Sequence, residues 1–249
     1  MQDLSIAIVA YNDEEDVVNA VESIERCTPS SVSKTIYIVD NSEERGTLSE
    51  LSNRYPDVKY EFSNENLGFG KGHNSVLGRL DSKYHAIVNP DIILNEDAFS
   101  KLIEFMEEGE YGMCVPRITD EEGNLLAVYR RELTVFDMFI RMFLKVGFKK
   151  RRAYHTMQDM DYSLPFEVPF AQGSFLVIRT ELFKEINGFD ERFFLYMEDA
   201  DLCKRVNEKS KLMYCPYTSV VHKWEKGSHK SLKLFLLHVK SMLLYFKKW

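Results

Sequence analysis

The sequence has few cysteines and no long hydrophobic run, and both absences exclude classes of protein. Its four cysteines lie far apart and include no CxxC pair, which is typical of reduced thiols and not of a disulfide-stapled small domain. No stretch reaches the roughly 18 uninterrupted apolar residues of a membrane span, because lysines and a histidine interrupt the most apolar segment, residues 232–249. The first apolar run, residues 4–11, is too short for a secretory signal. We therefore expect a cytoplasmic protein that does not cross a bilayer.

Acidic residues outnumber basic residues in the chain as a whole, but not in its C-terminal segment. The 249 residues include 32 Lys and Arg against 39 Asp and Glu, a net charge of -7, which gives no general attraction for nucleic acid. Residues 223–249 are the exception, with seven lysines and one glutamate. The chain is 45% hydrophobic and 29% charged, which suits a globular protein with a sizeable core and argues against disorder. We expect no nucleic-acid partner.

Strands and helices alternate in the first part of the chain. Residues 4–10 form a nearly continuous apolar run, typical of a strand buried on both faces. Asn12 or Asp13 can cap the following helix, whose apolar residues recur at helical spacing. This alternation predicts an α/β fold in which a mostly parallel central sheet is flanked by helices. The strands expected here are residues 4–10, 36–39, 58–62 and 85–88.

The pattern is less regular in the second part of the chain. Residues 120–123 indicate a hairpin turn, and residues 134–169 show no clean period. Regular elements return as a strand at 174–178, a helix at 199–206 and a strand near 212–214. No internal repeat or linker divides the chain, so we expect a single domain.

Polar residues follow three of the expected strands. Asn12, Asp40 and Asp91 each lie just beyond a buried run, and ligands of open parallel sheets bind beyond the carboxyl ends of the strands. Asp91 belongs to the sequence Asn89-Pro90-Asp91, in which the proline ends the strand. Its carboxylate is well placed to hold a divalent cation that bridges a diphosphate. An Asx turn that closes the strand is an equal alternative.

A glycine-rich run, residues 64–74, precedes a helix. Backbone amides near a helix N-terminus favour anions, and glycines permit a close approach. The run is not a dinucleotide fingerprint, because His73 occupies the place of the third glycine, and it also lacks the GK[ST] of a P-loop. A structural turn therefore remains the more common explanation.

Three carboxylates, Glu198, Asp199 and Asp201, follow an aromatic run at 193–197. They occupy the first turn of an expected helix, where the helix dipole favours anions, so capping is one interpretation. The other is that the aromatic neighbours desolvate one carboxylate and raise its pKa enough for general-base catalysis.

Two further features have both a structural and a functional interpretation. His222 follows an apolar pair at an expected strand end; it is either a satisfied structural residue or, with Asp91, part of a metal site. Residues 232–249 have lysines seven apart on one helical face. This segment is either a core helix or, together with the basic run at 141–152, a contact for an anionic membrane surface.

Taken in order, these motifs resemble the family 2 glycosyltransferases of the GT-A fold, particularly the bacterial rhamnosyltransferase-like branch. The match spans almost the whole chain, which is more specific than any single motif. The motifs are IAIVAYN (6–12), IVDN (38–41), NLGFGKGHN (66–74), NPD (89–91), GSFLVIR (173–179), GFDERFF (188–194), EDADLCKR (198–205) and VVH (220–222).

The resemblance implies roles for individual residues. Asp199 is the implied catalytic base of an inverting transfer, with Glu198 and Asp201 as supporting groups. Asp91 and His222 are the implied ligands of Mn or Mg, although Asn89 stands where the first acid of the DxD motif usually lies. The implied nucleotide-sugar-binding residues are Ala10, Tyr11, Asn12, Asp40, Asn66, Gly70, Asn74 and Asn89.

The resemblance also implies substrates and an organisation. Residues 1–222 form the GT-A domain, with a nucleotide-sugar-binding half (1–95) and an acceptor-binding and catalytic half (96–222), and 223–249 form a basic amphipathic segment. The expected donor is dTDP-rhamnose, with a UDP-sugar as second choice. The expected acceptor is a polyprenyl-diphosphate-linked saccharide of a cell-wall or surface polysaccharide, used at the inner face of the membrane. A homodimer, a nucleotide-sugar hydrolase and a non-catalytic binding subunit stay open.

Overall fold

The computed structural model describes residues 1–144, 147–223 and 232–249. Parts of the basic segments at 141–152 and 223–249 therefore lie outside the described residues. The strands are β1 (Gln2–Ala10), β2 (Lys34–Asp40), β3 (Val58–Phe62), β4 (Ser82–Val88), β5 (Ile92–Ile93), β6 (Met113–Thr119), β7 (Tyr129–Arg130), β8 (Phe166–Glu167), β9 (Phe170–Ala171), β10 (Phe175–Arg179) and β11 (Leu212–His222). The helices are α1 (Glu14–Cys27), α2 (Leu51–Arg54), α3 (Phe69–Asn74), α4 (Ala98–Gly109), α5 (Val135–Phe143), α6 (Lys149–His155), α7 (Thr180–Glu185), α8 (Glu198–Asn207) and α9 (Leu232–Lys248).

The main sheet has the strand order β3-β2-β1-β4-β10-β6-β11-β5, with β8 paired to β11. The pairs β3–β2, β2–β1, β1–β4 and β6–β11 are parallel. Strand β10 lies antiparallel between β4 and β6 and so joins the two parallel parts. Strands β7 and β9 form a separate antiparallel pair. The expected α/β fold with a mostly parallel sheet and flanking helices is confirmed.

Strand β1 is central because its apolar run packs on both faces. Ile6 lies opposite Ile36 of β2 and Ala86 of β4, and residues 4–8 are buried. Helix α1 buries Val17 and its other apolar positions against this core. Fully burying one such aliphatic side chain contributes about 1.5–3 kcal/mol, so the period of apolar residues decides which face of α1 meets the sheet.

Three elements differ from the sequence-based expectation: the sequence did not predict helices α4 and α5, and strand β11 is longer than predicted. Helix α4 begins at a cap in which the Asp97 carboxylate accepts from Ser100 N at 3.1 Å. Helix α5 begins in the segment without a clear period, where the Thr134 hydroxyl accepts from Asp137 N at 3.1 Å. Both caps are readable local signals. Strand β11 continues from Leu212 to His222, whereas the sequence predicted a short strand near 212–214. Its pairing with β6 shifts register between Cys215 and Ser219.

Helix α9 is attached to the domain at its C-terminal turn. Lys248 Nζ lies 2.8 Å from Asp190 Oδ2 and 2.5 Å from Asp201 Oδ1, and Trp249 Nε1 donates to Asp201 Oδ1 at 3.0 Å. Tyr245 is 3% exposed. In the described part of the chain, no helix is long and apolar enough to cross a membrane.

A buried histidine provides a test of the core. His85 Nδ1 lies 2.8 Å from Ser5 Oγ, and its ring stacks on Phe183. Burial lowers the pKa of His85 to about 3. Below pH 6.5 the unfolded chain therefore binds a proton that the folded chain does not bind until about pH 3. This difference reduces the free energy of unfolding as the pH falls through that window.

We predict that the double variant Ser5→Ala/His85→Phe loses less stability on acidification than the wild type. Between pH 6.5 and pH 5 the difference should be about 1–2 kcal/mol, since one titrating group contributes about 1.4 kcal/mol per pH unit. Urea unfolding at both pH values measures it, with Ser5→Ala alone as the control. Equal losses in the double variant and the wild type would contradict the assignment.

Candidate active site

The polar residues expected at one sheet edge do lie at neighbouring strand ends. Strands β1, β2 and β4 are parallel neighbours, so Asn12, Asp40 and Asn89 follow ends on the same edge of the sheet. The register pairs Ala10 with Asp40. This adjacency follows directly from the parallel topology.

The end of β1 combines a fixed backbone with exposed side chains. Ala10 is fully buried, and its carbonyl accepts from Asn41 N at 2.9 Å. Tyr11 is 43% exposed. Asn12 has a φ of 60° and donates its N–H to Ser42 Oγ at 3.0 Å. The side chains of Tyr11 and Asn12 are therefore presented to solvent from a backbone that β2 holds in place.

The Asp40 carboxylate is held by the protein. It is 1% exposed, and its oxygens accept from Ser42 N at 3.0 Å and from Tyr60 Oη at 2.8 Å. Burial, with a contribution from Asp40, raises the pKa of Tyr60 to about 12, so the phenol remains a donor. Because each carboxylate oxygen has two lone pairs, this arrangement orients Asp40 while leaving acceptor capacity for a ligand.

The glycine-rich run packs against the loop that precedes α8. Asn66 Oδ1 accepts from Gly68 N at 2.9 Å. Gly68 has a φ of +79°, and a Cβ there would lie 2.3 Å from the carbonyl oxygen of Phe194. Asn74 donates to the Phe189 carbonyl and accepts from Phe189 N, both at 2.8 Å. These contacts hold the aromatic loop, and the nucleotide-binding roles of Asn66, Gly70 and Asn74 stay predictions.

The Asn89-Pro90-Asp91 turn lies beside His222. Strand β5 pairs with the end of β11, which places His222 opposite Ile92. His222 Nε2 consequently lies 3.0 Å from Asp91 Oδ2. The other oxygen, Asp91 Oδ1, is buried with no hydrogen-bond partner among the described residues. This contact joins two residues that are far apart in the sequence. The sequence alone could not establish that Asp91 and His222 meet.

The donor set fits a divalent cation that shares its coordination with a ligand. Asp91 offers a carboxylate oxygen and His222 an imidazole nitrogen, a combination that suits Mn. Within residues 1–144, 147–223 and 232–249, no group of three or more acidic, histidine or cysteine side chains forms a complete cage. Mg and similar ions are usually bound by one or two protein ligands, and substrate phosphates and water complete the coordination.

Asp13 is a site residue that the sequence offered only as a helix cap. It stands at the N-cap of α1 but makes no side-chain cap hydrogen bond. Instead it accepts from Tyr11 N at 2.7 Å. Burial raises the pKa of Asp13 to about 6, and the charges of Asp16 and Asp91 contribute to this rise. Asp13 thus adds a second carboxylate near the Asp91 turn, and no local motif distinguishes this position from a simple cap.

Asp199 is presented by a constrained turn at the start of α8. Tyr196 and Met197 both have a φ of 69°, a conformation that is uncommon outside glycine. Asp199 Oδ2 accepts from Gly173 N at 3.2 Å, and Oδ1 accepts from Ala200 N at 2.8 Å. A Cβ at Gly173 would lie 3.2 Å from Asp199 Cβ, so glycine permits this close approach.

The segment Gly173–Ser174 connects Asp199 to the Asp91 turn. Gly173 N donates to Asp199, and the carbonyl of the next residue, Ser174, accepts from Asn89 N at 2.8 Å. The expected catalytic base and the expected cation ligand therefore flank the same two residues of backbone.

The two acids at the start of α8 have different electrostatic environments. Glu198 is 5% exposed, and burial, reinforced by the Asp199 charge, raises its pKa well above the usual range. Burial also raises the pKa of Asp199, but the backbone N–H groups of Gly173 and Ala200 and the charges of Arg130 and Arg141 oppose the rise. The pKa of Glu198 is therefore raised without a nearby cation to oppose the rise, whereas the rise at Asp199 is opposed by donors and cations, and a raised pKa suits a general base.

Asp201 serves the structure and has no access to a substrate. Its side chain is 0% exposed and forms an ion pair with Arg205, Oδ2 to Nε, at 2.8 Å. Its other oxygen binds Lys248 and Trp249 of the C-terminal segment. Asp201 therefore fixes α8 and α9 against each other, and the supporting role in catalysis that the resemblance implies stays a prediction.

Comparisons with known protein families agree with this arrangement. The model of glycosyl transferase family 2 matches residues 5–187. A second model, described as the N-terminal domain of galactosyltransferase, matches residues 151–226.

Two curated relatives resemble the chain over most of its length. Rhamnosyltransferase WbbL of Escherichia coli K12 is 27% identical over 96% of this chain and 91% of its own length. N-acetylglucosaminyl-diphospho-decaprenol L-rhamnosyltransferase of Mycobacterium tuberculosis is 26% identical over 88% of this chain and 75% of its own length.

A solved structure shares the fold and was determined with ligands. GalNAc-T7 with UDP, GalNAc and Mn²⁺ superposes with a TM-score of 0.71 at 17% identity, over 98% of this chain. The chain spans about half, 48%, of the GalNAc-T7 chain. The likeness supports the GT-A fold, and the family match over residues 5–187 covers well over half of the sequence. The chain belongs to glycosyl transferase family 2 and is a glycosyltransferase.

Proposed function

We propose that this protein is an inverting, cation-assisted glycosyltransferase that moves L-rhamnose from dTDP-rhamnose to a lipid-linked saccharide. The observation that carries the proposal is the position of Asp199, which is partly exposed and shares the Gly173–Ser174 segment with the Asp91 turn. An ionised carboxylate thus lies beside a site for the donor diphosphate.

Asp199 acts as the general base in this proposal. It accepts the proton of an acceptor hydroxyl while the hydroxyl oxygen attacks the anomeric carbon of the donor sugar. The attack is in line with the bond to the departing nucleoside diphosphate, so the configuration inverts. Backbone donors at Gly173 and Ala200 orient the carboxylate, and its raised pKa favours proton transfer near neutral pH.

Asp91 and His222 would hold the divalent cation. The buried Asp91 Oδ1 and the nearby imidazole supply its donor atoms. When bound, the cation neutralises the charge that grows on the leaving diphosphate. The Mn²⁺ of the GalNAc-T7 structure supports this proposal. Since Asn89 is a neutral amide, a single carboxylate carries the anionic charge of the motif, and the cation should be held more weakly than by two.

The substrates are proposed from the relatives. Both curated relatives are named rhamnosyltransferases, and one is named for an N-acetylglucosaminyl-diphospho-decaprenol acceptor. These names support rhamnose as the transferred sugar and a polyprenyl-diphosphate-linked saccharide, in cell-wall or surface polysaccharide synthesis, as the acceptor. The UDP of the GalNAc-T7 structure keeps a UDP-sugar as the second candidate donor.

A peripheral membrane contact would bring the enzyme to such an acceptor. Lys233, Lys240 and Lys247 of α9 are exposed. Leu236 is 57% and Leu243 is 65% exposed on the same helix. Exposed leucines beside lysines suit the surface of an anionic membrane, where each basic residue contributes about 1 kcal/mol. We therefore place the protein at the inner face of the cell membrane.

We predict that Asp199→Asn abolishes transfer but leaves donor binding near the wild-type affinity. Loss of a general base should lower turnover about 100-fold or more, while the amide keeps the size of the side chain. Release of nucleoside diphosphate, screened over dTDP-rhamnose and UDP-sugars with a polyprenyl-diphosphate-linked N-acetylglucosamine acceptor, measures the loss.

Asp81→Asn is the matched control, since the Asp81 side chain is 85% exposed. Wild-type turnover in Asp199→Asn would remove this residue from the role. Donor release without transfer in the wild type would favour a hydrolase, and the absence of both would favour a binding subunit.

We predict that Asp91→Ala removes the Mn²⁺-dependent part of donor affinity. Because the variant keeps only His222 of the two proposed ligands, the gain that Mn²⁺ gives should fall about 10-fold to 100-fold. Calorimetry of the nucleotide sugar with and without Mn²⁺ measures both affinities, with Asp81→Ala as the control. The assignment fails if Mn²⁺ strengthens donor binding equally in Asp91→Ala and the wild type.

We predict that the triple variant Lys233→Gln/Lys240→Gln/Lys247→Gln binds anionic vesicles about 100-fold more weakly than the wild type, at about 1 kcal/mol per lysine. Sedimentation with vesicles of phosphatidylglycerol and phosphatidylcholine measures binding, and Lys59→Gln, an exposed lysine on β3, is the control. If the wild type does not pellet with anionic vesicles, the membrane proposal is wrong.

A further inference from the structure

Arg130 is a buried cation close to the proposed base. It lies on β7 opposite Phe170 of β9, and its guanidinium stands 5.3 Å from the centroid of the Phe170 ring. The residue is only 8% exposed. Its charge acts on Asp199, whose helix α8 packs against β9. Sequence motifs gave no indication of this residue.

Arg130 differs from other arginines of this region because it has no carboxylate partner in the described part of the chain. Arg151 Nε pairs with Asp137 at 2.7 Å, Arg131 with Asp159 at 2.8 Å and Arg205 with Asp201 at 2.8 Å. The charge of Asp199 acts on Arg130, but among the described residues the two side chains form no ion pair.

An unpaired buried cation is costly. Removing an ion from water costs several kcal/mol unless a partner compensates. The ring of Phe170 offsets part of this cost through a cation–π contact. Because the protein compensates only part of the cost of burying Arg130, an anion that pairs with its guanidinium can bind strongly.

Arg141 of α5 adds a second positive charge. It acts on both Asp199 and Arg130, and no described carboxylate lies within ion-pair distance of it. Burial, together with the Arg141 charge, lowers the pKa of Arg130 to about 9, so Arg130 remains a cation at neutral pH. The charges of these two arginines act on one carboxylate, that of Asp199, and no described carboxylate is paired with either arginine, so the site has an excess of positive charge.

We propose that Arg130 and Arg141 form a binding site for a diphosphate on the Asp199 side of the pocket. Guanidinium groups present paired N–H donors that match the oxygens of a phosphate. The site rests on the proposed function, because Asp199 as base requires an acceptor hydroxyl beside it. A diphosphate attached to the acceptor saccharide would place that hydroxyl within reach of Asp199.

The position of the site favours the acceptor as the source of the diphosphate. The donor diphosphate is assigned to Asp91 and His222, beyond the Gly173–Ser174 segment from Asp199. The charges of both arginines act on Asp199, so we assign the arginine pair to the Asp199 side of this segment. The same chemistry would also suit the diphosphate of the donor itself, and the experiment below separates the two sources.

The first arm measures binding of inorganic pyrophosphate to the full chain by calorimetry, in EDTA and without nucleotide. We expect Arg130→Gln and Arg141→Gln each to weaken binding about 10-fold to 100-fold, the effect of losing hydrogen bonds to a charged group. Arg130→Lys should retain part of the affinity, because it keeps the charge but not the paired donors. Arg54→Gln, whose side chain is 60% exposed, is the control.

Thermal unfolding of each variant checks the fold. Arg141 is more exposed than Arg130, so Arg141→Gln tests the site even if Arg130→Gln unfolds. If folded Arg141→Gln and Arg130→Lys bind pyrophosphate as tightly as the wild type, the proposal is overturned. A role of the arginines limited to tuning Asp199 would change the pH profile of turnover without changing pyrophosphate affinity.

The second arm identifies the source of the diphosphate. Farnesyl diphosphate is titrated into the wild type and Arg141→Gln in the presence of Mn²⁺ and saturating dTDP or UDP. Binding that persists with nucleotide and depends on Arg141 supports the acceptor site. Binding that nucleotide abolishes assigns the arginine pair to the donor diphosphate and overturns the acceptor assignment. Neither arm needs turnover, so a failure here is distinct from a failure of the Asp199→Asn test.

Discussion

Two hydrogen bonds made by the backbone just before β10 determine the arrangement of the site. Gly173 N donates to Asp199, and the Ser174 carbonyl accepts from Asn89 N. The first contact orients the proposed base, and the second holds the turn that presents Asp91. Both depend on the antiparallel insertion of β10 beside β4, which brings the second half of the chain to the strand ends of the first half. The catalytic proposal depends on this junction.

The acids Glu198, Asp199 and Asp201 of α8 have different roles because different cations and hydrogen-bond donors surround each of them. Glu198 is buried without a cationic partner in the described part of the chain, so its pKa is raised well above the usual range. Asp199 has backbone donors, and the charges of Arg130 and Arg141 act on it, so the rise that burial causes in its pKa is opposed. Asp201 is fully buried in a cluster with Arg205 and Lys248. The cost of burying a charge thus assigns the roles of acids that lie within four positions of each other.

The sequence predicted most elements of residues 1–95 and fewer of residues 96–222. The strand at 58–62 has the expected bounds, because its apolar pattern and flanking turns are local. Helices α4 and α5 had readable caps at Asp97 and Thr134, but their regions showed no clear period. The sequence predicted a strand near 212–214 and a strand end at His222, but not that they form one strand, whose register shifts between Cys215 and Ser219. The family resemblance, which the family model confirms, predicted that these parts form one fold.

The sequence by itself determined the α/β pattern, the ends of the parallel strands and the candidate residues Asp91, Asp199 and His222, because these follow from local spacing and from the order of motifs. Only the tertiary structure decided that His222 meets Asp91 and that the charge of Arg130 acts on Asp199. Both interactions join positions far apart along the chain, which strand pairing and helix packing bring together. The burial of these polar groups, which their local sequence does not specify, then shifts their pKa values.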